Sequence, residues 1–309
     1  MKTIYFVREK QTQFGGAERY LSRLCAAMDD RKIAYKTIYS IFPRFLPSWL
    51  RILLFNCQVC LGKGSRFYFS LERITCPDIY RAGDGVHRVF LRIENKSLFN
   101  PLHPVYLFLE KRTFTRARRI IANSEMVKQE VVASYGVNPG KIKVIYNGVE
   151  LKEPDYGESC RKLAREFGIT ENDKILLYVG SGFKRKGVDE FLEIVSRLND
   201  RAIKAFIVGK EKNIGRYRSM AHEKGIQDRV FFTGARQDVD DFYTVSDVFL
   251  LPTHYEPFSN VVLEAMNFGM VVFTTRQNGA SEILEQRFVM NSPEDFSVVD
   301  KISDLLADP

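Results

Sequence analysis

Several signals that would fix the class of this protein at once are missing from its sequence. It has no P-loop and no three-glycine dinucleotide fingerprint, and no Asp-x-Asp metal motif is read from it. No internal repeat or low-complexity tract stands out. No apolar run is long enough to cross a bilayer. Met1–Arg8 is too short and too soon charged for a signal peptide, and reads as a first buried strand, so a cytoplasmic protein is expected. Cysteine is scarce, at five residues. Cys57-Gln-Val-Cys60 has metal or redox spacing, but no second ligand pair accompanies it. Two apolar positions in a buried stretch are the plainer expectation.

What is present describes a soluble globular chain. Its 309 residues suit two domains, and 45% hydrophobic with 27% charged content is ordinary for a folded protein. The net charge of +8 hides an asymmetry. Residues 1–150 hold 25 Lys+Arg against 12 Asp+Glu, and the remainder 21 against 26. The basic half should attract something anionic: nucleic acid, an anionic membrane face or a phosphorylated substrate.

Both halves alternate strand and helix patterns. The first has strands at Thr3–Val7, Ala34–Tyr39, Arg118–Ala122 and Lys143–Tyr146, with helices at Gly16–Met28 and after Ser124, a good N-cap. Residues 150–160 are polar, contain Pro154 and Gly157, and suit a linker. The second half has strands at Lys174–Val179, Ala202–Gly209, Val230–Thr233, Val248–Leu251 and Val271–Thr274. Helices are expected between them at Val188–Leu198, Arg216–Lys224, Asp238–Val245 and Ser259–Phe268. This order predicts an α/β protein of two Rossmann-like domains, 1–150 and 151–309, facing across a cleft. Ile41–Leu61, rich in Phe, Leu and Ile around Arg44 and Arg51, reads either as a buried helix or as a surface element resting on a membrane. Val105–Arg119 is a second such stretch.

Three segments carry chemistry. Gly15-Gly16, between a strand and a helix, lets backbone approach an anion at a helix N-terminus, or is a simple turn. Gly180–Gly187 follows a strand and carries Lys184, Arg185 and Lys186, charges suited to a diphosphate or to a solvated basic loop. In His254–Met266, Glu256 lies in a loop and Glu264 in the next helix. Two carboxylates at this spacing can accept hydrogen bonds from the hydroxyls of a sugar and a ribose. Ser259 and Asn260 are plausible helix caps, with backbone N–H groups near Phe258–Asn260 facing the ligand.

Glu256–Glu264 resembles the E-x7-E element of retaining family 4 glycosyltransferases, which have a two-domain B-type (GT-B) fold. The similarity extends through Gly15-Gly16-Ala-Glu-Arg, Asn123-Ser124, Tyr146-Asn-Gly-Val149, Lys186-Gly-Val-Asp189, Phe232-Thr-Gly-Ala235, Ser246-Asp247 and Leu263-Glu-Ala. Asp78–Asp84 and Val179–Asp189 are similar in particular to glucosyltransferases of the lipopolysaccharide core. The resemblance implies these roles: Gly15 and Gly16 approach the donor diphosphate, Arg185 and Lys186 neutralise it as it leaves, and Glu264 binds the ribose. Glu256, with the backbone of Phe258, Ser259 and Asn260, holds the donor sugar. The turn at Ala235 and Arg236 receives the base, and Asp84, or His87 three residues on, lies beside the transferred sugar. It also implies a helix beyond Pro309 that returns to the first domain.

The implied reaction moves a hexose, glucose by resemblance, from a UDP-sugar to a lipopolysaccharide core or other glycolipid acceptor at the cytoplasmic face of an inner membrane. No cofactor and no metal are expected, since Lys and Arg can do the work of a metal at the diphosphate. Nucleic acid is not expected, because the basic residues form no known motif. The other readings are a nucleotide-sugar-binding module without full transferase activity, and a transferase acting on another, soluble acceptor.

Overall fold

A computed structural model describes residues 3–10, 16–153, 155–198, 200 and 202–307. The chain divides into two compact units, Met1–Tyr146 and Asn147–Pro309. Within the second unit, the Asn147 side chain donates to Asn260 Oδ1 at 2.8 Å.

The first domain runs β1 (Ile4–Val7), α1 (Gly16–Asp30), β2 (Tyr35–Ile38), α2 (Ser48–Leu61), β3 (Phe67–Ser70), β4 (Ile79–Ala82), α3 (His87–Ile93), α4 (Leu102–Arg116), β5 (Arg119–Ala122), α5 (Glu125–Tyr135) and β6 (Ile142–Val144). Its strands form one parallel sheet in the order β2-β1-β3-β4-β5-β6. A parallel sheet covered on both faces favours apolar strands, as in Ile-Tyr-Phe-Val of β1 and Arg-Ile-Ile-Ala of β5. Ser124 caps α5 by accepting from Val127 N at 3.1 Å, and Gly136, at φ 62°, closes it. In the stretch 41–61 the expected helix forms with a buried face. In α2, Arg51, Ile52, Phe55 and Val59 face inward, whereas Ile41 and Phe45 ahead of it are 76% and 84% exposed. Cys60 is disulfide-bonded to Cys76, and Cys57 is exposed, so the Cys-x-x-Cys spacing is neither a metal site nor a buried apolar pair.

The second domain runs α6 (Tyr156–Phe167), β7 (Lys174–Val179), α7 (Val188–Arg197), β8 (Ile203–Val208), α8 (Ile214–Glu223), β9 (Val230–Gly234), α9 (Val239–Val245), β10 (Val248–Leu251), α10 (Asn260–Asn267), β11 (Val271–Thr275), β12 (Val289–Met290) and α11 (Val298–Ala307). Its sheet is also parallel, in the order β12-β11-β10-β7-β8-β9. The expected linker at 150–160 is shorter than predicted. Asp155 accepts from Glu158 N at 2.9 Å and starts α6 at Tyr156. The high polarity there belongs to the outer face of a helix whose Ser159 and Leu163 are buried. Phe167, Phe206, Phe231 and Phe242 pack ring against ring at 5.0–5.9 Å within a large core.

Each strand order reverses once, between β1 and β3 in the first domain and between β7 and β10 in the second. At such a reversal the connections leave in opposite directions, and the carboxyl ends of the two strands open a place for ligands. Among the described residues, no helix is long and apolar enough to cross a membrane.

Candidate functional site

The reversal of the second sheet brings two of the sequence-predicted segments together. β7 ends at Val179 and feeds the loop 180–187, while β10 ends at Leu251 and feeds 252–259. Arg185 Nη1 lies 2.9 Å from Glu256 Oε2, and Lys186 Nζ lies 3.4 Å from the same oxygen. Arg185 Nη1 also donates to Tyr255 O at 2.5 Å. The two loops are strapped by backbone as well: His254 N and Thr253 Oγ1 both donate to Arg185 O, at 2.9 and 3.0 Å. Burial pushes the Glu256 carboxyl up, but Lys186 and Arg185 outweigh it, and its pKa falls below the ordinary value. Glu256 is therefore an ionised hydrogen-bond acceptor at neutral pH.

Glycine makes this close approach possible. Gly187 sits at φ +78°, and a Cβ there would lie 1.8 Å from Pro252 O. A Cβ at Gly180 would lie 2.8 Å from Lys186 Cδ, so the lysine stem runs where a side chain would stand.

A residue that sequence reasoning missed holds the other side of Glu256. Asn278, fully buried, accepts from Ser259 N at 3.2 Å and Ala280 N at 3.1 Å, and donates to Thr274 Oγ1 at 3.0 Å. Glu256 N donates to Gln277 O, and Gly279 N donates to Glu256 O. The Asn278-Gly279 dipeptide just past an apolar strand was the available signal, a turn signature. Asn278 alters the expectation for α10: Ser259 stands at the N-cap, but its side chain makes no capping bond and its own N–H is spent on Asn278. Phe258 is packed in the core, and Asn260 accepts from Asn147. Glu264, half-buried on α10, accepts from Tyr243 OH at 3.1 Å.

Ala235 is exposed in the turn after β9. The guanidinium of Arg236 next to it bonds both Glu166 oxygens at 2.6 and 2.8 Å and both Asp238 oxygens at 2.9 Å. Those bonds hold the Asp238 carboxyl well below the usual range. Asp238-Val-Asp240 does have Asp-x-Asp spacing, but its carboxylates are engaged by Arg236, Lys162 and Lys152. Among the described residues, Glu190, His254 and Glu294 form a group of three whose ligand atoms lie within 4.8 Å of one another, with Glu294 exposed.

In the first domain, Asp84 follows β4 and is 61% exposed, 3.9 Å from Arg73 Nη1. Arg73 is held by Glu110 at 2.9 Å. Glu110, fully buried, also accepts from His87 N at 2.7 Å, Arg88 N at 3.2 Å and Tyr135 OH at 2.6 Å. His87 Nε2 shares a hydrogen bond with His103 Nδ1 at 3.1 Å, and burial followed by Arg73 pushes its pKa down to about 4. Its imidazole is neutral at physiological pH. Gly16 opens α1, and Gly15 lies outside the described residues.

The fold and the comparisons agree on a class. Residues 161–309 match the family of glycosyl transferases group 1, and residues 81–153 match glycosyltransferase family 4. Together with the two parallel six-stranded sheets, these give the chain a GT-B fold, its second domain similar to glycosyl transferases group 1 and part of its first to glycosyltransferase family 4. Among its relatives, the lipopolysaccharide glucosyltransferase WaaG of Escherichia coli K12 is 26% identical over 208 residues, 64% of this chain and 55% of WaaG. The D-inositol 3-phosphate glycosyltransferase of Gordonia bronchialis is 31% identical over 186 residues, 56% of this chain and 40% of that protein. The chain spans about half the length of the curated relatives it matches. A crystal structure of WaaG superposes with a TM-score of 0.82 at 20% identity, covering 99% of this chain and 90% of that one. Anabaena HepE in complex with UDP and glucose superposes at 0.72 with 18% identity, covering 100% and 90%.

Proposed function

We propose that this protein transfers a hexose, glucose in the first instance, from a UDP-sugar to a hydroxyl of a lipopolysaccharide-core or other glycolipid acceptor, keeping the anomeric configuration and using no metal. The observation that carries the proposal is the pair Arg185 and Lys186 closed on Glu256 at the reversal of the second sheet. The relatives support the donor class, since HepE holds UDP and glucose, and WaaG is a lipopolysaccharide glucosyltransferase.

The donor's C1–oxygen bond breaks, and its electron pair stays on the departing diphosphate. Arg185 and Lys186 offset the charge that develops there. The acceptor oxygen bonds to C1 on the same face, and its proton passes to the departing phosphate oxygen. Glu256, ionised, accepts hydrogen bonds from donor-sugar hydroxyls, the backbone N–H groups of Phe258 and Asn260 donate to the sugar's oxygens while that of Ser259 stays on Asn278, and Glu264 accepts from the ribose. Gly15, Gly16 and Asp84 serve the diphosphate and the transferred sugar from the first domain, and Ala235 lies at the base. The exposed Phe99, Phe108, Lys111 and Arg112, with Ile41 and Phe45, give the first domain an apolar and basic surface suited to an anionic cytoplasmic membrane face.

The test is UDP binding by calorimetry to the wild type and to Glu264→Ala. Affinity should fall at least about tenfold, since a carboxylate paired with vicinal hydroxyls contributes charge-assisted hydrogen bonds. Unchanged affinity rejects the assignment. Mass spectrometry of UDP-glucose with and without a glycolipid acceptor separates a transferase from a binding module, which would release no sugar.

A further inference from the structure

The first domain also holds a cavity whose lining includes none of the residues assigned above to the donor. This cavity, of about 270 Å³, opens where β1 and β2 end. Glu9 and Lys10 line it from the end of β1, Tyr39 from the end of β2, and Phe42, Arg44 and Arg51 from the following loop and the first turn of α2. Ser40 N donates to Glu9 O at 3.1 Å and pins the two strand ends together. Arg51 Nη1 donates to Arg44 O at 3.4 Å and ties the loop to the helix. The volume is close to the lower end of small-molecule sites, about 300 Å³.

The wall carries three cations and one carboxylate. Arg51 Nε reaches Glu9 at 2.5 Å, and both side chains are largely buried, so that pair is compensated. Lys10 lies farther from Glu9, at 4.0 Å, and is 46% exposed; Arg44 is exposed. The surplus is positive and reachable from solvent. Beside it, Tyr39 and Phe42 are half-buried and offer ring faces of the kind that pack on the C–H face of a sugar, and Glu9 can accept from hydroxyls. Cations, a carboxylate and aromatic faces in one small cavity are a set for a sugar that bears a phosphate.

We propose that this cavity binds a phosphate monoester carried on a sugar, and that it recognises the anionic group of the acceptor. This rests on the reading that the first domain receives the acceptor.

The test is a calorimetric titration with glucose 6-phosphate, glucose and inorganic phosphate, on the wild type, Arg44→Gln and Lys10→Gln. Glucose 6-phosphate should give a saturable change, glucose none, and inorganic phosphate a weaker one. Each variant should weaken glucose 6-phosphate about tenfold, the loss of one charge-assisted contact, while its UDP affinity stays that of the wild type. No saturable change, equal binding of glucose, equal binding of inorganic phosphate, or variants that bind like the wild type would each overturn the proposal. UDP titrated into the same samples keeps the two readings apart. If UDP fails to bind while glucose 6-phosphate binds as described, the donor assignment falls and the cavity stands.

Discussion

At the reversal of the second sheet, two cations converge on one carboxylate, and the surplus is positive. At the reversal of the first, the charges are mostly spent on each other. Arg8 reaches Glu18 at 2.7 Å and Glu72 at 2.5 Å, Arg51 reaches Glu9, and Arg73 reaches Glu110. The strand architecture is the same in kind, yet one edge keeps charge in reserve for a ligand and the other uses it to hold its own loops. The difference teaches that charge density alone does not mark a site. What matters is whether the cations outnumber the carboxylates they touch. On that criterion the first domain's reserve lies at Lys10 and Arg44, past the ends of β1 and β2.

This contrast can be broken by a matched pair of substitutions. Arg8→Ala leaves Glu18 and Glu72, each less than a fifth exposed, without their common cation. Removing one partner of a largely buried ion pair costs about 3–5 kcal/mol, so the melting temperature should drop sharply. Lys186→Ala removes a cation from a site that retains Arg185. Its melting temperature should hardly move, while transfer from UDP-glucose falls on the order of 10²-fold, the scale of losing one preorganised charge partner. If Arg8→Ala kept its stability and lost only turnover, the two edges would be alike and the contrast would be wrong.

Asn278→Ala comes next in size. It strips the acceptor from Ser259 N and Ala280 N and the donor from Thr274 Oγ1, all in a fully buried setting. Buried groups left unpaired cost about 1–3 kcal/mol. Thermal unfolding should show that loss. UDP affinity should fall with it, because the same side chain sets the backbone that follows Glu256. A stability loss with UDP affinity intact would make Asn278 a core residue only, and would detach Glu256 from the rigid frame claimed for the second domain.

How much of this was legible in the sequence differs between the domains for physical reasons. β7 and β8 are six residues each, five of them apolar, and read directly as strands. β3 and β4 are four residues each, Phe-Tyr-Phe-Ser and Ile-Tyr-Arg-Ala, and were not anticipated. Arg81 in β4 looks like a surface residue, but it is buried with its guanidinium 3.8 Å from the centre of the Tyr20 ring, a contact from α1 that no local pattern predicts. The loop Gly180–Gly187 and the segment from His254 were visible because glycine, charge and helix start lie within a few residues of one another. Asn278 was not, since it acts across 19 positions through a side chain that ordinarily marks only a turn.

Arg236 carries the smallest expected effect and tests the second domain most finely. Its sequence position beside Ala235 suggested a side chain free to stack on a base, whereas its four bonds run to Glu166, 70 residues upstream, and to Asp238. All three side chains are 20–39% exposed, so solvent screens the network. Arg236→Ala should therefore cost about 1 kcal/mol or less, seen as a small drop in melting temperature. Its UDP affinity should stay within about twofold of the wild type. A guanidinium stacked on the base would behave otherwise, since losing such a contact costs about 1–3 kcal/mol and would weaken UDP about fivefold or more. Because the two outcomes fall on different axes, stability or nucleotide affinity, one calorimetric titration and one thermal melt decide between them. An affinity loss would mean that the nucleotide pulls Arg236 out of its carboxylate clamp, and that the turn at Ala235 rearranges on binding instead of standing ready.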